Sequence, residues 1–378
     1  MNSASYAVEL TRQLIRFDTI NPPGNERECN HYLGQLLQNA GFAVAYHEFA
    51  DLRTTLVARR AGSNVKKPIC FTGHVDVVPL GLQPWSEEPF GADISDGKLF
   101  GRGSSDMKSG VAAFVAAAVE MGKALERGPG LIMVITAGEE TGSAGAFQLA
   151  SLGPAALGEA GALVVAEPTS NQLFAGHKGA LWLTARTRGR TAHASMPDKG
   201  VNAVYKAARL ISKLERYHFE APPYPVLGSP TLNVGRVRGG LNVNSVPDSA
   251  EIGIDIRTIA GIDHAHLRNA LAEYLAPELD QLEVTLDMTG VQTDPEHPWI
   301  QEIAEIMASL LGQRSELGLA PYFTDAGALT PAYGGVPTVI LGPGEIEMAH
   351  QTDEYCYVSR IEQAFEIYRA IIERWQSG

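Results

Sequence analysis

Phe71-Thr72-Gly73-His74-Val75-Asp76-Val77-Val78-Pro79 is the stretch on which the fold turns. The apolar run Pro68–Thr72 predicts a buried strand, after which the chain presents a histidine and an aspartate two residues apart. In open parallel sheets, ligands bind at the carboxyl ends of the strands. A strand that ends on glycine and then offers imidazole and carboxylate is a place to hold a metal ion. His-x-Asp by itself reads more readily as a structural turn. Its weight comes from four other segments with the same habit.

Working outward, apolar and polar residues alternate between helical and strand periods. Helices are expected at Ala4–Arg16, Glu26–Ala40 (closed by Gly41) and Gly110–Leu125, the last Ala-rich and buried. Strands are expected at Phe42–Phe49, Thr54–Arg59, Leu131–Thr136 and Ala162–Ala166, with a loop over Leu80–Asp96. This alternation predicts an α/β domain with a mostly parallel sheet covered on both faces. From Gly176 to about Gly290 the order becomes strand, helix, strand, strand, helix, strand, the ferredoxin-like α+β sequence of elements. Helix, strand and helix resume at Trp299–Leu311, Pro337–Gly342 and Ile361–Trp375. The expected organisation is one α/β domain, residues 1–176 and 291–378, interrupted by an inserted domain, residues 177–290.

Composition excludes several functions. The chain has 378 residues, 45% hydrophobic and 19% charged, which suits a soluble globular protein with room for two cores. A net charge of −13 argues against a nucleic-acid partner. No apolar run approaches the roughly 20 residues of a membrane span. The start, Met1-Asn2-Ser3-Ala4-Ser5-Tyr6, lacks the basic and apolar regions of a signal peptide. Cys29, Cys70 and Cys356 are isolated, so neither a disulfide framework nor a thiolate zinc site is expected, and a reducing cytoplasm is the expected location.

Four predicted strands of the α/β domain lead into candidate ligands. His74 and Asp76 follow the first, Gly138-Glu139-Glu140 the Leu131 strand, and Glu167-Pro168 the Ala162 strand. Gly342-Pro343-Gly344 and then His350 follow the last. Asp106, in Gly103-Ser104-Ser105-Asp106-Met107-Lys108, precedes the Ala-rich helix. Singly, Asp106 reads as a helix cap, the glutamates as solvated turns and His350 as a loop histidine; their convergence on one sheet edge points to a metal centre. His74, His350, Asp106, Glu140 and Glu167 supply two neutral imidazoles and three carboxylates. With one hydroxide these neutralise two divalent cations, as a partly buried dinuclear centre requires. A bridging Asp106 would hold two ions about 3.5–4 Å apart. All-oxygen and nitrogen donors suit Zn2+, with Co2+ or Mn2+ as substitutes. Asp76 suits the role of accepting the second N–H of His74. Of Glu139 and Glu140, one can bind metal while the other stays free as general base.

These motifs, Gly73–Pro79, Gly101–Lys108, Gly138–Glu140 and Glu167-Pro168, resemble the dinuclear zinc hydrolase family of acetylornithine deacetylase, succinyl-diaminopimelate desuccinylase, aminoacylase and carboxypeptidase G. The resemblance runs over nearly the whole chain and implies a zinc-peptidase-like catalytic domain with an inserted lid and dimerisation domain. It implies His74 and Glu167 as ligands of one metal, Glu140 and His350 of the other, and Asp106 as the bridge, beside a cis peptide. It implies Glu139 as the base and Asp76 as the residue orienting His74. In Gly189-Arg190-Thr191-Ala192-His193-Ala194-Ser195-Met196-Pro197, similar to the family's lid motif, His193 would polarise the scissile carbonyl in the partner subunit of a homodimer. Asn244 and Arg257 match positions that bind the substrate carboxylate, for which a planar guanidinium is suited, although a structural ion pair is also open to Arg257. Phe323–Ala328 lies where relatives select substrate and matches no single subfamily. Glu at position 167 leans toward deacylases and carboxypeptidases over aminopeptidases.

The expected activity is metal-dependent removal of an acyl group from an N-acyl amino acid. The rivals are a carboxypeptidase or dipeptidase using the same site and a non-catalytic binding dimer. The filled ligand and base positions argue against the last.

Overall fold

The computed structural model describes residues 3–63, 66–220, 228–314 and 316–377; Met1 and Asn2, used in reading the chain's start, lie outside them. The Phe71 stretch forms the strand Ile69–His74, in which every residue is buried. It extends through His74 itself, with His74 opposite Thr136 in a parallel pair. The strand packs closely at Gly73: a Cβ there would lie 2.5 Å from the Met107 side chain and 2.9 Å from Val111.

Four strands form the parallel centre of the main sheet, in the order Gly130–Thr136, Ile69–His74, Ala162–Val165 and Thr338–Ile340. An antiparallel hairpin, Ala43–Ala50 with Arg53–Ala61, extends it beyond Gly130–Thr136. Phe174–His177 adds antiparallel beside Thr338–Ile340. Thr338 aligns with Leu163, Leu131 with Ile69, and Ile69 with Ala162. The carboxyl ends of all four central strands therefore point the same way.

The Ala-rich helix Lys108–Met121 is buried along Lys108–Ala118 and packs on Ile69–His74 between the helices Ser3–Ile15 and Val358–Ser377. Small side chains allow this approach. A Cβ on Gly110 would lie 2.2 Å from the Ala166 carbonyl, so the helix meets the end of the strand that leads to Glu167. The helix stops at Met121, earlier than expected, because Gly122 adopts a positive φ and a short 3-10 turn follows. Helices Ala144–Leu152 and Ala326–Ala332 pack against strands of the same sheet. A three-stranded sheet of Ile94–Ser95, Lys98–Phe100 and Tyr355–Tyr357 had no counterpart in the sequence expectations.

The chain divides into two compact units, 1–176 with 292–320 and 324–378, and 177–291 with 321–323. The second contains Gly179–Arg188, Ala203–Leu214, Thr231–Gly239, Ser249–Thr258, His264–Leu275 and Gln281–Met288. Its antiparallel strands run Thr231–Gly239, Ser249–Thr258, Gly179–Arg188, Gln281–Met288 across the sheet, the ferredoxin-like arrangement. Ile252, Ile254 and Ile256 alternate inward onto Leu210, Leu214 and Leu271 of the two helices, while Glu251, Asp255 and Arg257 face the other side.

Candidate metal centre

Six predicted residues come together at the carboxyl edge of the main sheet. His74 Nε2 lies 3.3 Å from Asp106 Oδ1 and 3.7 Å from Glu167 Oε1. His350 Nε2 lies 3.4 Å from Asp106 Oδ2 and 3.0 Å from Glu140 Oε2. Two triads that could each hold a metal ion result, His74/Asp106/Glu167 and Asp106/Glu140/His350, joined by the two oxygens of Asp106. Glu139 Oε2 stands 4.0 Å from His74 Nε2 and belongs to neither triad. The Asp106–Met107 peptide is cis.

The donors fit metal ions. Nitrogen and oxygen ligands about 2.0–2.2 Å from a tetrahedral ion lie roughly 3.3–3.6 Å from one another; the four contacts span 3.0–3.7 Å. Asp106 Oδ1 and Glu140 Oε1 are buried without a hydrogen-bond partner among the described residues, an arrangement that is costly unless a cation satisfies them.

Titration behaviour points the same way. Burial pushes Glu139 and Glu167 well above the usual carboxylate range, and neighbouring acids add to the effect. Burial and Asp106 raise Glu140 to about 7. Burial opposes the charge on His74, but Asp106, Glu167, Glu139 and Asp76 outweigh it and carry the imidazole well above its ordinary value. Bonds to Asp106 and Glu140 raise His350 to about 10. A cluster that holds protons this tightly is short of positive charge, which two divalent ions would supply.

The tautomer of His74 is also suited to ligation. Its Nδ1 lies 2.9 Å from the Asp76 carbonyl, which can only accept, so Nδ1 keeps its proton and Nε2 is the nitrogen that would give up its proton to ligate a metal ion. This corrects the role expected of Asp76. The backbone carbonyl of Asp76 orients the imidazole, and its carboxylate, 3.6 Å from Nδ1, is engaged elsewhere. It accepts from the backbone N–H groups of Gly138 (2.9 Å), Glu139 (3.1 Å) and Glu140 (3.1 Å), and from Asn21 Nδ2 (2.8 Å). Asp76 thus holds the turn that carries Glu139 and Glu140.

Sequence reading passed over three neighbours. Asn21 grips both Asp76 and the Thr141 hydroxyl (2.9 Å). Asp325 is buried, accepts from the Thr136 hydroxyl and is raised by burial, and its charge acts on Glu139. Glu354 accepts from the backbone of Asp106. Asp325 falls within the segment flagged for substrate selection, the one signal that could have singled it out. The other two act on atoms for which sequence carries no signature.

His193, Asn244 and Arg257 belong to the second unit. Ala194 N donates to the Asn244 carbonyl (3.1 Å) and His193 bridges Ser245, so the loops of His193 and Asn244 are joined. His193 is exposed, and its Nδ1 accepts from Ser195 N (3.2 Å), leaving the proton on Nε2. Arg257 is paired with Asp255, Nε to Oδ1 at 3.0 Å, and Asp255 also accepts from Trp182 Nε1 at 3.0 Å. The ion pair left open for Arg257 is present.

A largely parallel sheet bearing two carboxylate-histidine triads on a shared aspartate defines a metal-dependent hydrolase with a dinuclear centre. Residues 70–374 match the Peptidase family M20/M25/M40, and the chain belongs to that family. It is 31% identical to a probable succinyl-diaminopimelate desuccinylase of Staphylococcus epidermidis, covering 97% of this chain and 98% of that one. It is 30% identical to an acetylornithine deacetylase of Klebsiella pneumoniae, covering 97% of each. Among solved structures, an M20 family metallo-carboxypeptidase from Sulfolobus solfataricus superposes with a TM-score of 0.82 at 18% identity over 100% of both chains.

Proposed function

We propose that this protein is a zinc-dependent amidohydrolase that removes the acyl group from an N-acyl amino acid. The observation that carries the reading is the pair of triads sharing Asp106, with the buried Glu139 beside them and bound to neither. The two relatives at 30–31% identity, named as a desuccinylase and a deacetylase, support the deacylase branch.

His74, Glu167 and one oxygen of Asp106 would hold one Zn2+, and Glu140, His350 and the other oxygen the second. Bound there, the ions supply Lewis acidity and lower the pKa of water toward neutrality. Glu139 takes the proton of the attacking water and returns it to the departing amine nitrogen. The Asp76 carboxylate keeps Glu139 in place through the 138–140 backbone. Arg257 and Asn244 bind the substrate carboxylate, with Asp255 fixing the plane of the guanidinium. His193 of the partner subunit donates its Nε2 proton to the developing oxyanion.

The inserted domain then serves as lid and dimerisation domain. In support of a homodimer, Val237, Tyr205, Leu241 and Val243 are exposed in the second unit, on or beside its edge strand Thr231–Gly239. The three cysteines are free and buried, in keeping with a cytoplasmic location.

The test is a rate screen of zinc-loaded protein against N-acetyl, N-succinyl and N-formyl amino acids and simple dipeptides, with a chelated control. Chelator-sensitive release from one N-acyl amino acid is the expected result. Turnover of dipeptides alone would move the protein to the peptidase branch.

A further inference from the structure

Glu354 and Arg102 are among the most buried charged residues in the chain, and the reaction scheme uses neither. Glu354 is 0% exposed and Arg102 1%. Both oxygens of Glu354 are doubly engaged. Oε1 accepts from the backbone N–H of Ser105 (2.8 Å) and Asp106 (2.9 Å). Oε2 accepts from Gly103 N (2.9 Å) and Arg102 Nη1 (2.7 Å). The Glu354 carbonyl accepts from Gly101 N (2.9 Å). Arg102 in turn donates to the carbonyls of Gln351 and Pro79, each at 3.2 Å.

These bonds connect two segments distant in sequence. Residues 101–106 end in the shared ligand Asp106, and residues 350–354 begin with His350. Glu354 reaches the backbone N–H of Asp106 itself, and Arg102 grips the residue directly after His350. The connection matters because neither segment is a central strand of the sheet. His350 is exposed and has a φ of 65°, a conformation that a non-glycine residue keeps only where neighbouring groups hold it. Asp106 is common to both triads, but the other two members of the opposite triad are anchored differently. His74 closes the strand Ile69–His74, and Glu167 follows Ala162–Val165, which pairs with that strand in register.

We infer that the Arg102–Glu354 pair is a positioning device for one of the two metal sites: it sets the distance between Asp106 and His350 and thereby secures the ion held with Glu140. The inference rests on the two-metal reading. It assigns the two ions unequal dependence on residues that touch neither of them, since ligand-supporting partners of this kind typically change metal affinity by about 10–100-fold.

The experiment is a calorimetric titration of the metal-free full chain with Zn2+, with metal content measured after gel filtration. The wild type should bind two ions. Glu354→Gln, which keeps the volume but replaces two acceptor oxygens with one, should retain one tight site and weaken the second by about 10–100-fold. Removing one member of a buried pair leaves the other charge unpaired and can prevent folding, so Arg102→Met/Glu354→Gln is measured alongside. This double variant carries no orphaned charge yet still lacks the carboxylate, and it should show the same selective loss. Two ions with unchanged affinity in both variants, or equal weakening of both ions, overturns the inference. Recovery of both sites in the double variant also overturns it, because the defect would then be the stranded arginine. If the wild type takes up fewer than two ions, the two-metal reading fails and this inference fails with it; two ions in the wild type leave that reading intact whatever the variants do.

Discussion

The candidate metal cluster of the first unit and the His193–Asn244 loops of the second are built on opposite principles. His74, Glu139 and Glu167 are 1%, 6% and 4% exposed, and the groups behind them are saturated with hydrogen bonds. Asp76 and Glu354 each accept four, mostly from backbone N–H groups of the loops that carry ligands. The loops that carry Asp106, Glu139 and Glu140 are therefore held by the fold itself. His193 and Asn244 are exposed, and what joins them is two loops meeting through backbone bonds. A site that must hold two cations needs preorganisation, because misplaced buried carboxylates repel one another. Residues on exposed loops can change at little cost to the fold.

The largest expected effect tests the rigid half. Glu139→Ala removes a carboxylate that neither triad uses, so both ions should remain bound while kcat falls by roughly 10²–10⁴-fold. Metal analysis beside steady-state kinetics checks this. A near-normal rate would remove Glu139 from the base role, and a lost ion would show that it is a ligand.

The exposed half is expected to act from a second subunit, and His193→Ala should lower kcat by about 10²–10³-fold with little change in Tm. Mixing makes the test sharper. When His193→Ala and Glu139→Ala chains are unfolded together and refolded, a mixed dimer has one site with Glu139 from one chain and His193 from the other. Activity should reappear on mixing if His193 works across the interface. Two inactive parents that stay inactive after verified exchange would place His193 at its own chain's site, or outside the reaction.

The same contrast explains what the sequence could and could not reveal. Strand ends are legible because apolar runs stop abruptly at polar residues, and three such stops delivered members of the cluster: His74, the Glu139–Glu140 pair and Glu167. The Ala-rich helix was legible because only small residues approach a sheet edge so closely, as Gly110 against Ala166 illustrates. Asp76 was found for the wrong atom. His-x-Asp spacing suggests a carboxylate against an imidazole, yet the nearby carbonyl takes that bond and frees the carboxylate for the 138–140 backbone. Glu354 and Asn21 left no trace at all. Their partners are backbone groups or side chains distant in sequence, and backbone N–H groups look alike at every position until the chain is folded.

The smallest effect expected comes from a second buried histidine, and it contrasts with His74. Both are buried, but His74 is ringed by carboxylates and raised, whereas burial lowers His177 to about 4 with only the Lys178 carbonyl bond to oppose it. His177 closes the strand Phe174–His177, and its Nε2 has no hydrogen-bond partner among the described residues. In the unfolded chain this imidazole titrates near 6.5. Between pH 6.5 and 4 the unfolded state therefore binds the extra proton, and stability falls as pH falls through that window. The full contribution is on the order of 3 kcal/mol, reached at the acid end and absent above pH 7. The difference in Tm between wild type and His177→Gln, measured from pH 7 to pH 4, isolates it because the metal ligands are common to both proteins. Wild type should lose more stability on acidification than the variant. Parallel profiles would mean that His177 accepts its proton in the folded chain, and that burial alone does not keep it neutral.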